Sequence, residues 1–371
     1  MKIAAFNVEN LFERAKAFNK PTVEDAQETL KDTAELNALF ELDSYSGVEN
    51  QILDLVKKLG LDKSDQGNDA VHLRRIRGKV LKRSGTVELV ATGRLDWIGW
   101  VEAKTEPVNE IAIDNTGRVI RDVNADILAV IEADNRIALG RFSENVLRRI
   151  NPTGVPYDHV LLIDGNDERG IDVGLFTRTG FRIRHIRTHI YDADPAGGLI
   201  YSRDCPEYCV ETPTGELIWI LPNHFKSKFG GDNAQSRARR RAQATRTAEI
   251  YEELRAAGEN LVVVLGDFND TPDSPPLQPL VANTDLSDVS DHPSFDTGEF
   301  GGKGTYGLGN DNQKIDYLLL SPALFGRVQT SGLFRMGAWP GKRPVRWTVY
   351  PELTREVHVA SDHHVIWADI L

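Results

Sequence analysis

Short apolar runs separated by polar turns recur along the chain, a pattern that predicts strands buried in a sheet. Eight runs rich in β-branched residues fit it: KIAAF (2–6), DILAVI (126–131), HVLLI (159–163), DVGLFT (172–177), LIWIL (217–221), LVVVLG (261–266), IDYLLL (315–320) and VIWADIL (365–371). Apolar positions between 236 and 258 instead keep helical spacing, up to a glycine where a helix should stop. The pattern therefore predicts an α/β chain.

A long segment, roughly 16–115, separates the first two of these strands and exceeds an ordinary connection. It carries elements of its own, because 52–59 holds a helical apolar stripe and the segments 87–92 and 96–103 look like two strands of a hairpin. No repeat or linker divides the rest of the chain. We therefore predict one domain over 1–371 with an inserted helical and hairpin subdomain.

Polar residues follow four of the predicted strands and precede two others. Those that follow are Asn7 and Glu9, Glu132, Asn223 and His224, and Asp267 and Asn269; those that precede are Asp316 and the cluster Ser361, Asp362 and His363. Ligand sites of α/β sheets lie beyond strand ends, although ordinary turn chemistry explains any single one of these residues equally well. Strand beginnings and strand ends meet at one rim only when strands run in both directions. We therefore predict a mixed or antiparallel two-sheet sandwich flanked by helices, not a doubly wound parallel sheet.

Convergence of these groups would place several carboxylates in one cleft, where like charges raise one another's pKa unless a cation lies among them. Hard oxygen ligands select Mg²⁺, Mn²⁺ or Ca²⁺ over zinc. Asn and His side chains beside such a cation suit a phosphate, because amides orient a water and imidazoles act as acid, base or cationic stabiliser. The residues therefore predict a divalent-metal-dependent phosphoesterase.

Six motifs occur in an order that resembles the endonuclease/exonuclease/phosphatase superfamily, which includes pancreatic-type deoxyribonuclease, apurinic endonucleases, sphingomyelinases and inositol polyphosphate phosphatases. They are KIAAFNVEN, DILAVIEAD, NHFKSK, LGDFND, KIDYLLLS and SDHHVIWADI, of which GDFN and SDH are the most specific. The resemblance implies a four-layer, deoxyribonuclease I-like sandwich. In motif style the chain is most similar to bacterial nuclease-type members.

The resemblance also implies a role for each site residue. Metal ligands would be Asn7, Glu9, Glu132 and Asp362, and catalytic residues would be His224, Asp267, Asn269, Asp316 and His363. Glu132 would be the principal ligand of Mg²⁺, for which Mn²⁺ would substitute and Ca²⁺ is a further candidate. Asp267 would orient or deprotonate the attacking water beside Asn269. His363, oriented by Asp316, would contact the phosphate, and His224 would contact the phosphate or assist the leaving oxygen. Glu9 departs from the Asp that several members carry.

The charge distribution bears on the substrate. A net charge of −11 argues against a protein that coats nucleic acid non-specifically. The basic residues are nevertheless clustered, and candidate substrate contacts are Asn223, Lys226, Arg237, Arg240 and Arg241. Arginines at a helix start oppose the helix dipole, so either an anionic substrate or ion pairs with the chain's own carboxylates must explain them. A second basic run, 72–83, either follows a nucleic-acid backbone or forms a solvated face.

Three functions are compatible with these features. The leading hypothesis is a DNA or RNA nuclease that uses metal-assisted in-line attack of water; the alternatives are an enzyme for a small phosphoester and an inactive scaffold on the same fold. No apolar run reaches the roughly 18 residues of a membrane helix, so we expect no membrane partner. We expect a monomer in the cytoplasm, or a secreted or periplasmic protein if a leader was removed. Cys205 and Cys209 are either plain thiols or a local disulfide.

Overall fold

The computed structural model describes residues 1–11, 23–104, 109–167, 170–228 and 231–371, and the outer parts of the predicted insertion at 16–22 and 105–108 lie outside them. The strands are β1 (Lys2–Leu11), β2 (Val71–Arg77), β3 (Leu81–Lys82), β4 (Glu88–Leu89), β5 (Ile98–Ala103), β6 (Ile127–Ala133), β7 (Tyr157–Leu162), β8 (Asp172–Arg178), β9 (Arg182–Arg187), β10 (Glu207–Glu211), β11 (Leu217–His224), β12 (Val262–Asp267), β13 (Ser287–Asp288), β14 (Phe295–Asp296), β15 (Asp316–Leu320), β16 (Val328–Phe334) and β17 (Val365–Ile370). The α-helices are α1 (Val23–Phe40), α2 (Glu49–Lys58), α3 (Glu110–Val123), α4 (Arg136–Phe142), α5 (Arg148–Ile150), α6 (Ala234–Ala256), α7 (Gln278–Val281) and α8 (Pro322–Phe325), with a π-helical turn (Ser143–Leu147) between α4 and α5. Short 3-10 turns occupy Arg94–Asp96, Val289–Asp291, Gly298–Phe300, Asp311–Gln313 and Glu356–His358.

Two mixed sheets carry the eight strands that the apolar runs predict. One sheet has seven strands in the order β14-β16-β17-β1-β6-β8-β7, and the other has six in the order β13-β15-β12-β11-β10-β9. β1 runs parallel to β6 and antiparallel to β17, while β12 runs parallel to β11 and antiparallel to β15. The carboxyl ends of β1, β6, β11 and β12 therefore share a rim with the starts of β15 and β17. The predicted mixed two-sheet sandwich is confirmed.

Alternation along the strands builds three of the hydrophobic clusters. Ile3 and Ala5 of β1 pack with Val263 and Leu265 of β12 in a core between the two sheets. The intervening residues face outward, where those of β1 pack on α3 and α4 and those of β12 pack on α6. A helical layer thus covers each sheet, which gives the four layers that the resemblance implies. Cys205 and Cys209 are buried and free in this arrangement.

Contacts divide the chain into two compact units, Met1–Phe12 with Val108–Leu371, and Glu13–Pro107. In its described residues the second unit has a core of its own, in which α1 and α2 pack against the segments that follow them. The predicted end at residue 115 lies too far along the chain, because α3 belongs to the first unit.

The predicted hairpin of 87–92 with 96–103 is wrong. β5 pairs with β2, and β4 pairs with β3. The expected turn does not close, because its backbone bonds to another loop: Arg94 N–H donates to the Leu42 carbonyl at 2.9 Å, and the Thr92 carbonyl accepts from Tyr45 N–H at 2.8 Å.

Among the described residues of both units, no helix is long and apolar enough to cross a membrane.

Candidate active site

Asn7 links the two sheets at the shared rim. Its Nδ2 donates to Glu132 Oε1 at 3.2 Å and to Asp267 Oδ2 at 3.1 Å, so side chains from β1, β6 and β12 meet at one amide. His224, the last residue of β11, places Nε2 3.4 Å from the same Glu132 oxygen and 3.7 Å from Asp267 Oδ2. Residues that follow different strands in the sequence are therefore neighbours in space.

Three site residues hold a left-handed backbone conformation that side chains rarely adopt. Glu9 has φ 51°, Glu132 has φ 66° and Asn269 has φ 55°. The pairing of β1 with β6 shifts register between Asn7 and Leu11, which turns Glu9 out of the regular pleat. Such residues cost about 1–3 kcal/mol each and persist where the surroundings fix them, typically at functional sites. The rim thus concentrates strain where the sequence places its acids.

Asp316 orients His363. His363 Nδ1 lies 2.9 Å from Asp316 Oδ2, and Asp316 N–H donates to Thr305 Oγ1 at 2.9 Å. The opposite ring nitrogen, Nε2, then lies 3.7 Å from Asp362 Oδ1 and 3.9 Å from Asp267 Oδ2. Burial alone would lower the pKa of His363, but the charge of Asp316, its hydrogen bond and the charge of Asp267 raise it well above the usual value. The ring is therefore held as a cation with Nε2–H facing the rim.

Asp267 is buried at the centre of the site. Its Oδ1 accepts from Asn269 N–H at 2.8 Å, and its Oδ2 accepts from Asn269 Nδ2 at 3.1 Å. Burial, and next the charge of Asp316, raises the pKa of Asp267 to about 8. A carboxyl that binds protons near neutral pH is suited to acid–base work.

The acids of the rim fit a hard divalent cation. Glu132, Asp267 and His224 each offer a ligand atom within 4.8 Å of the others. Burial, and next the charge of Asp362, raises the pKa of Glu9 to about 7, which marks negative charge that a cation would neutralise. Asp362 N–H donates to Glu9 Oε2 at 3.1 Å, so these two acids are adjacent.

The detailed ligand set stays a prediction. Asn7 turns its amide nitrogen toward Glu132, while its oxygen accepts from Glu9 N–H at 3.0 Å, so in this arrangement it positions the acids. Asp267, Asp316 and His363 also each offer a ligand atom within 4.8 Å of the others. Asp316, however, already bonds the imidazole of His363.

The raised pKa values predict how the metal-free protein responds to pH. Folded protein holds protons on Glu9 and Asp267 that the unfolded chain has released, from about pH 4 up to their pKa values of about 7 and about 8. Stability should therefore fall as pH rises through this window, by up to about 1.4 kcal/mol per pH unit for the excess proton on buried Asp267, and by less for the one on Glu9, whose side chain is exposed and screened by solvent. The raised pKa of His363 acts in the same direction, because its stabilising charge is lost at high pH.

Urea unfolding in chelator at about pH 5, 6, 7 and 8 measures this slope. Asp267→Asn should flatten it, and Mg²⁺ should stabilise the wild-type protein more at the high end, where the acids are ionised. Stability that rises over the same window would refute the assignment of uncompensated acids to the rim.

Two of the predicted substrate contacts are buried and bonded within the protein, and their contact with substrate stays a prediction. Asn223 is fully buried, where its Nδ2 donates to the Leu221 carbonyl at 3.0 Å and its Oδ1 accepts from Thr247 Oγ1 at 3.2 Å. Arg240 is also fully buried, with Nε 2.8 Å from Asp270 Oδ2 and Nη2 2.7 Å from Asp232 Oδ1. Both hold α6 in place: Asn223 of β11 accepts from Thr247 of the helix, and Arg240 lies on the buried face of the helix itself.

The other predicted contacts lie nearer the surface and stay predictions. Arg237 is exposed and pairs with Asp232 at 3.5 Å, and exposed Arg241 donates to the Pro275 carbonyl at 3.2 Å. Lys226 is half-buried, and its carbonyl accepts from Arg240 Nη1 at 2.9 Å. Ion pairs with the chain's own acids thus account for much of this basic cluster.

The basic run at 72–83 also forms ion pairs with acids, and these acids belong to its own unit. Its ion pairs are Arg74 with Glu102, Arg75 with Asp65 (3.8 Å), Lys82 with Glu88 (3.2 Å) and Arg83 with Asp65 (2.8 Å). A surface run that is partly neutralised in this way presents less charge to a polyanion.

The buried position of Arg240 predicts a stability effect. Arg240→Met should lower the free energy of unfolding by about 1.5–3 kcal/mol, because it removes the charge-assisted hydrogen bond of a fully buried guanidinium to Asp270, which keeps Lys228 as its second partner at 2.6 Å. Arg241→Met, on the exposed side of the same helix, should change it by about 0.5 kcal/mol or less. Denaturant unfolding of both variants measures the difference, and equal effects would contradict the structural role of Arg240.

Sequence patterns missed Thr305 and Tyr306. The Tyr306 ring lies 5.0 Å from the His363 ring, and the charge of Asp362, followed by burial, raises the pKa of Tyr306 to about 12. Both residues sit in the glycine-rich stretch GGKGTYGLGN, which has neither strand nor helix periodicity. No sequence signal marked them.

Comparison with known proteins gives matches to one family. The model of the endonuclease/exonuclease/phosphatase family matches residues 109–363. No curated protein matches the chain. Among solved structures, a mannosyl-6-phosphatase of Bacteroides thetaiotaomicron is 16% identical, with 70% of this chain and 90% of that chain covered and a TM-score of 0.50. The human Nocturnin catalytic domain is 15% identical (72% and 89% covered, TM-score 0.48), as is truncated Caenorhabditis elegans TDP2 (69% and 88% covered, TM-score 0.46). At 16% identity, the similarity to the mannosyl-6-phosphatase shows only a shared fold.

Proposed function

The chain belongs to the endonuclease/exonuclease/phosphatase family, and on that basis we propose that it is a divalent-metal-dependent hydrolase of phosphoester bonds. One observation carries the proposal. Asp267 lies between the Glu132–His224 pair, at 3.7 Å from His224 Nε2, and the His363–Asp316 pair, at 3.9 Å from His363 Nε2. An acid–base carboxyl is thus flanked by a metal-binding carboxylate and by an oriented cation, which are the groups that phosphoryl transfer needs.

A bound Mg²⁺ or Mn²⁺ would supply charge neutralisation for the phosphoryl oxygens. In the proposed mechanism Glu132, together with Glu9 and Asp362, would hold this cation at the rim. Asp267 accepts the proton of the attacking water, because it is buried and ends within hydrogen-bonding distance of the Asn269 amide that orients the same water.

The two histidines act on the phosphate from different sides. His363 Nε2–H donates to a non-bridging oxygen, since Asp316 holds the ring in its charged form. His224 faces the site with Nε2 and delivers a proton to the leaving oxygen, which completes an in-line displacement by water. Water thus gives its proton to Asp267, and the departing alcohol receives one from His224.

A small phosphoester is the better supported substrate. The basic segments were the reason to favour a nucleic acid, yet Arg240 is buried, Arg237 is paired, and four of the six Lys and Arg residues in the run at 72–83 form ion pairs with acids of the protein. A nuclease is the second candidate, and exposed Arg241 favours it because its guanidinium pairs with a carbonyl and not with an acid. An inactive scaffold is disfavoured, since every residue of the proposed mechanism is retained.

The test is hydrolysis of bis(4-nitrophenyl) phosphate, 4-nitrophenyl phosphate, plasmid, single-stranded DNA and RNA, each with Mg²⁺, Mn²⁺ or chelator. We expect metal-dependent release of 4-nitrophenolate with a mild response to salt. Polymer cleavage that weakens steeply with salt would transfer support to the nuclease. Failure to cleave any phosphoester with either cation would overturn the proposal.

A further inference from the structure

A cavity of about 670 Å³ opens beside the acids of the rim. Glu9 and Asp362 belong to its lining, and most of the other lining residues come from α3, the loop after Gly304 and the segment before Ser361. Of all these residues, the proposed mechanism uses only Glu9 and Asp362. The rest of the cavity therefore has no role in the chemistry described above.

The lining is largely apolar. It includes Ile113 of α3, Tyr306 and Leu308 of the loop, Trp339, and Val357. Val357 is 60% exposed, and Tyr306 and Leu308 are each 36% exposed, although side chains of this kind are usually covered. Such a concave apolar surface next to a reactive centre is typical of a site for part of a ligand.

The walls are fixed to the catalytic backbone by hydrogen bonds. On one side, Asn115 Nδ2 of α3 donates to the His358 carbonyl at 2.7 Å and Thr116 Oγ1 donates to the Ala360 carbonyl at 3.1 Å. On the other side, Gly307 N–H donates to the Asp362 carbonyl at 2.8 Å. The cavity is thus formed before any ligand binds, and its position relative to the rim is set by the same backbone that carries His363.

Charge excludes a second phosphate from this cavity. Among the described residues that line it, none is Lys or Arg, and the charged groups are Glu9, Asp362 and exposed Glu356. An anionic group would meet like charge there, whereas an uncharged group would only displace water. In the proposed mechanism Glu9 and Asp362 are engaged with the cation, so exposed Glu356 is the one remaining acid among the described lining residues.

We propose that this cavity is the subsite for an uncharged apolar or aromatic ester group of the substrate. The inference rests on the proposed hydrolase function and narrows its substrate class to phosphoesters whose organic part is apolar. The phosphoryl group lies at the rim, and its ester substituent extends between α3 and the Tyr306–Leu308 loop.

Binding tests the subsite independently of turnover. Calorimetry with Mg²⁺ compares phenylphosphonate with methylphosphonate, and we expect phenylphosphonate to bind at least about tenfold more tightly, because the ring buries several more apolar carbons. Val357→Asp, which adds charge to the lining, and Ala112→Phe, which fills the cavity, should each bring the ratio of the two dissociation constants toward one. Val155→Asp is the matched control, since Val155 is 51% exposed and lines a different cavity, and it should keep the wild-type ratio.

Turnover provides the second arm. Phenyl 4-nitrophenyl phosphate, methyl 4-nitrophenyl phosphate and 4-nitrophenyl phosphorylcholine share a leaving group, and kcat/KM should be highest for the phenyl ester. Preference in binding without any hydrolysis would sustain the subsite and refute the hydrolase. Hydrolysis with equal binding of both phosphonates would refute the subsite alone, and a preference for the choline ester would overturn it in favour of a cationic group.

Discussion

Asp267→Asn and His363→Ala should each lower kcat about a thousandfold, and the double variant should be little slower than the worse of the two. In the proposed mechanism the two side chains act on one phosphoryl group, since Asp267 Oδ2 lies 3.9 Å from His363 Nε2. Asn keeps the shape of Asp but cannot accept a proton from water, and Ala removes the cation that Asp316 holds in place. Loss of either therefore disables the same step.

Steady-state kinetics on bis(4-nitrophenyl) phosphate at saturating Mg²⁺ measure these effects. His185→Ala is the control, because His185 is an exposed residue of β9 outside the site, and it should keep the wild-type kcat. If the double variant instead showed the full product of the two single losses, Asp267 and His363 would serve separate steps.

Glu132→Gln should lower the rate by about a hundredfold or more at limiting Mg²⁺, with partial recovery when the cation is in large excess. The substitution keeps the length of the side chain and the hydrogen bond with Asn7, but it removes the negative charge with which Glu132 would hold a hard cation. Glu144→Gln, an exposed acid in the π-helical turn after α4, should leave the rate unchanged. A wild-type rate for Glu132→Gln at limiting cation would show that Glu132 is not a ligand.

The sandwich was predictable because its central strands are buried on both faces. Such strands read as continuous apolar runs, as in β12, and their polar ends stand out directly after them, as Asp267 and Asn269 do. β9 lies at the edge of its sheet and has mostly exposed residues, so RIRHIR gives no apolar run to recognise. Burial therefore decides which strands a sequence reveals.

Side-chain partners that are distant in sequence were not predictable. Arg240 bonds Asp270, which is 30 residues away, and nothing in SRARRR distinguishes it from exposed Arg237 and Arg241. The same limit applies to Tyr306, which reaches His363 only through the fold. Positive φ at Glu9 and Glu132 also has no sequence signal, because neither residue is a glycine.

The most direct test of the account is the cation dependence of phosphoester hydrolysis. Wild-type protein freed of metal by exhaustive chelation is assayed on bis(4-nitrophenyl) phosphate, and Mg²⁺ or Mn²⁺ is then added back while binding of the same ion is followed by calorimetry. We expect no turnover after chelation, recovery in parallel with ion binding, and a loss of that binding in Glu132→Gln. Full turnover by the chelated protein would contradict the metal-dependent mechanism.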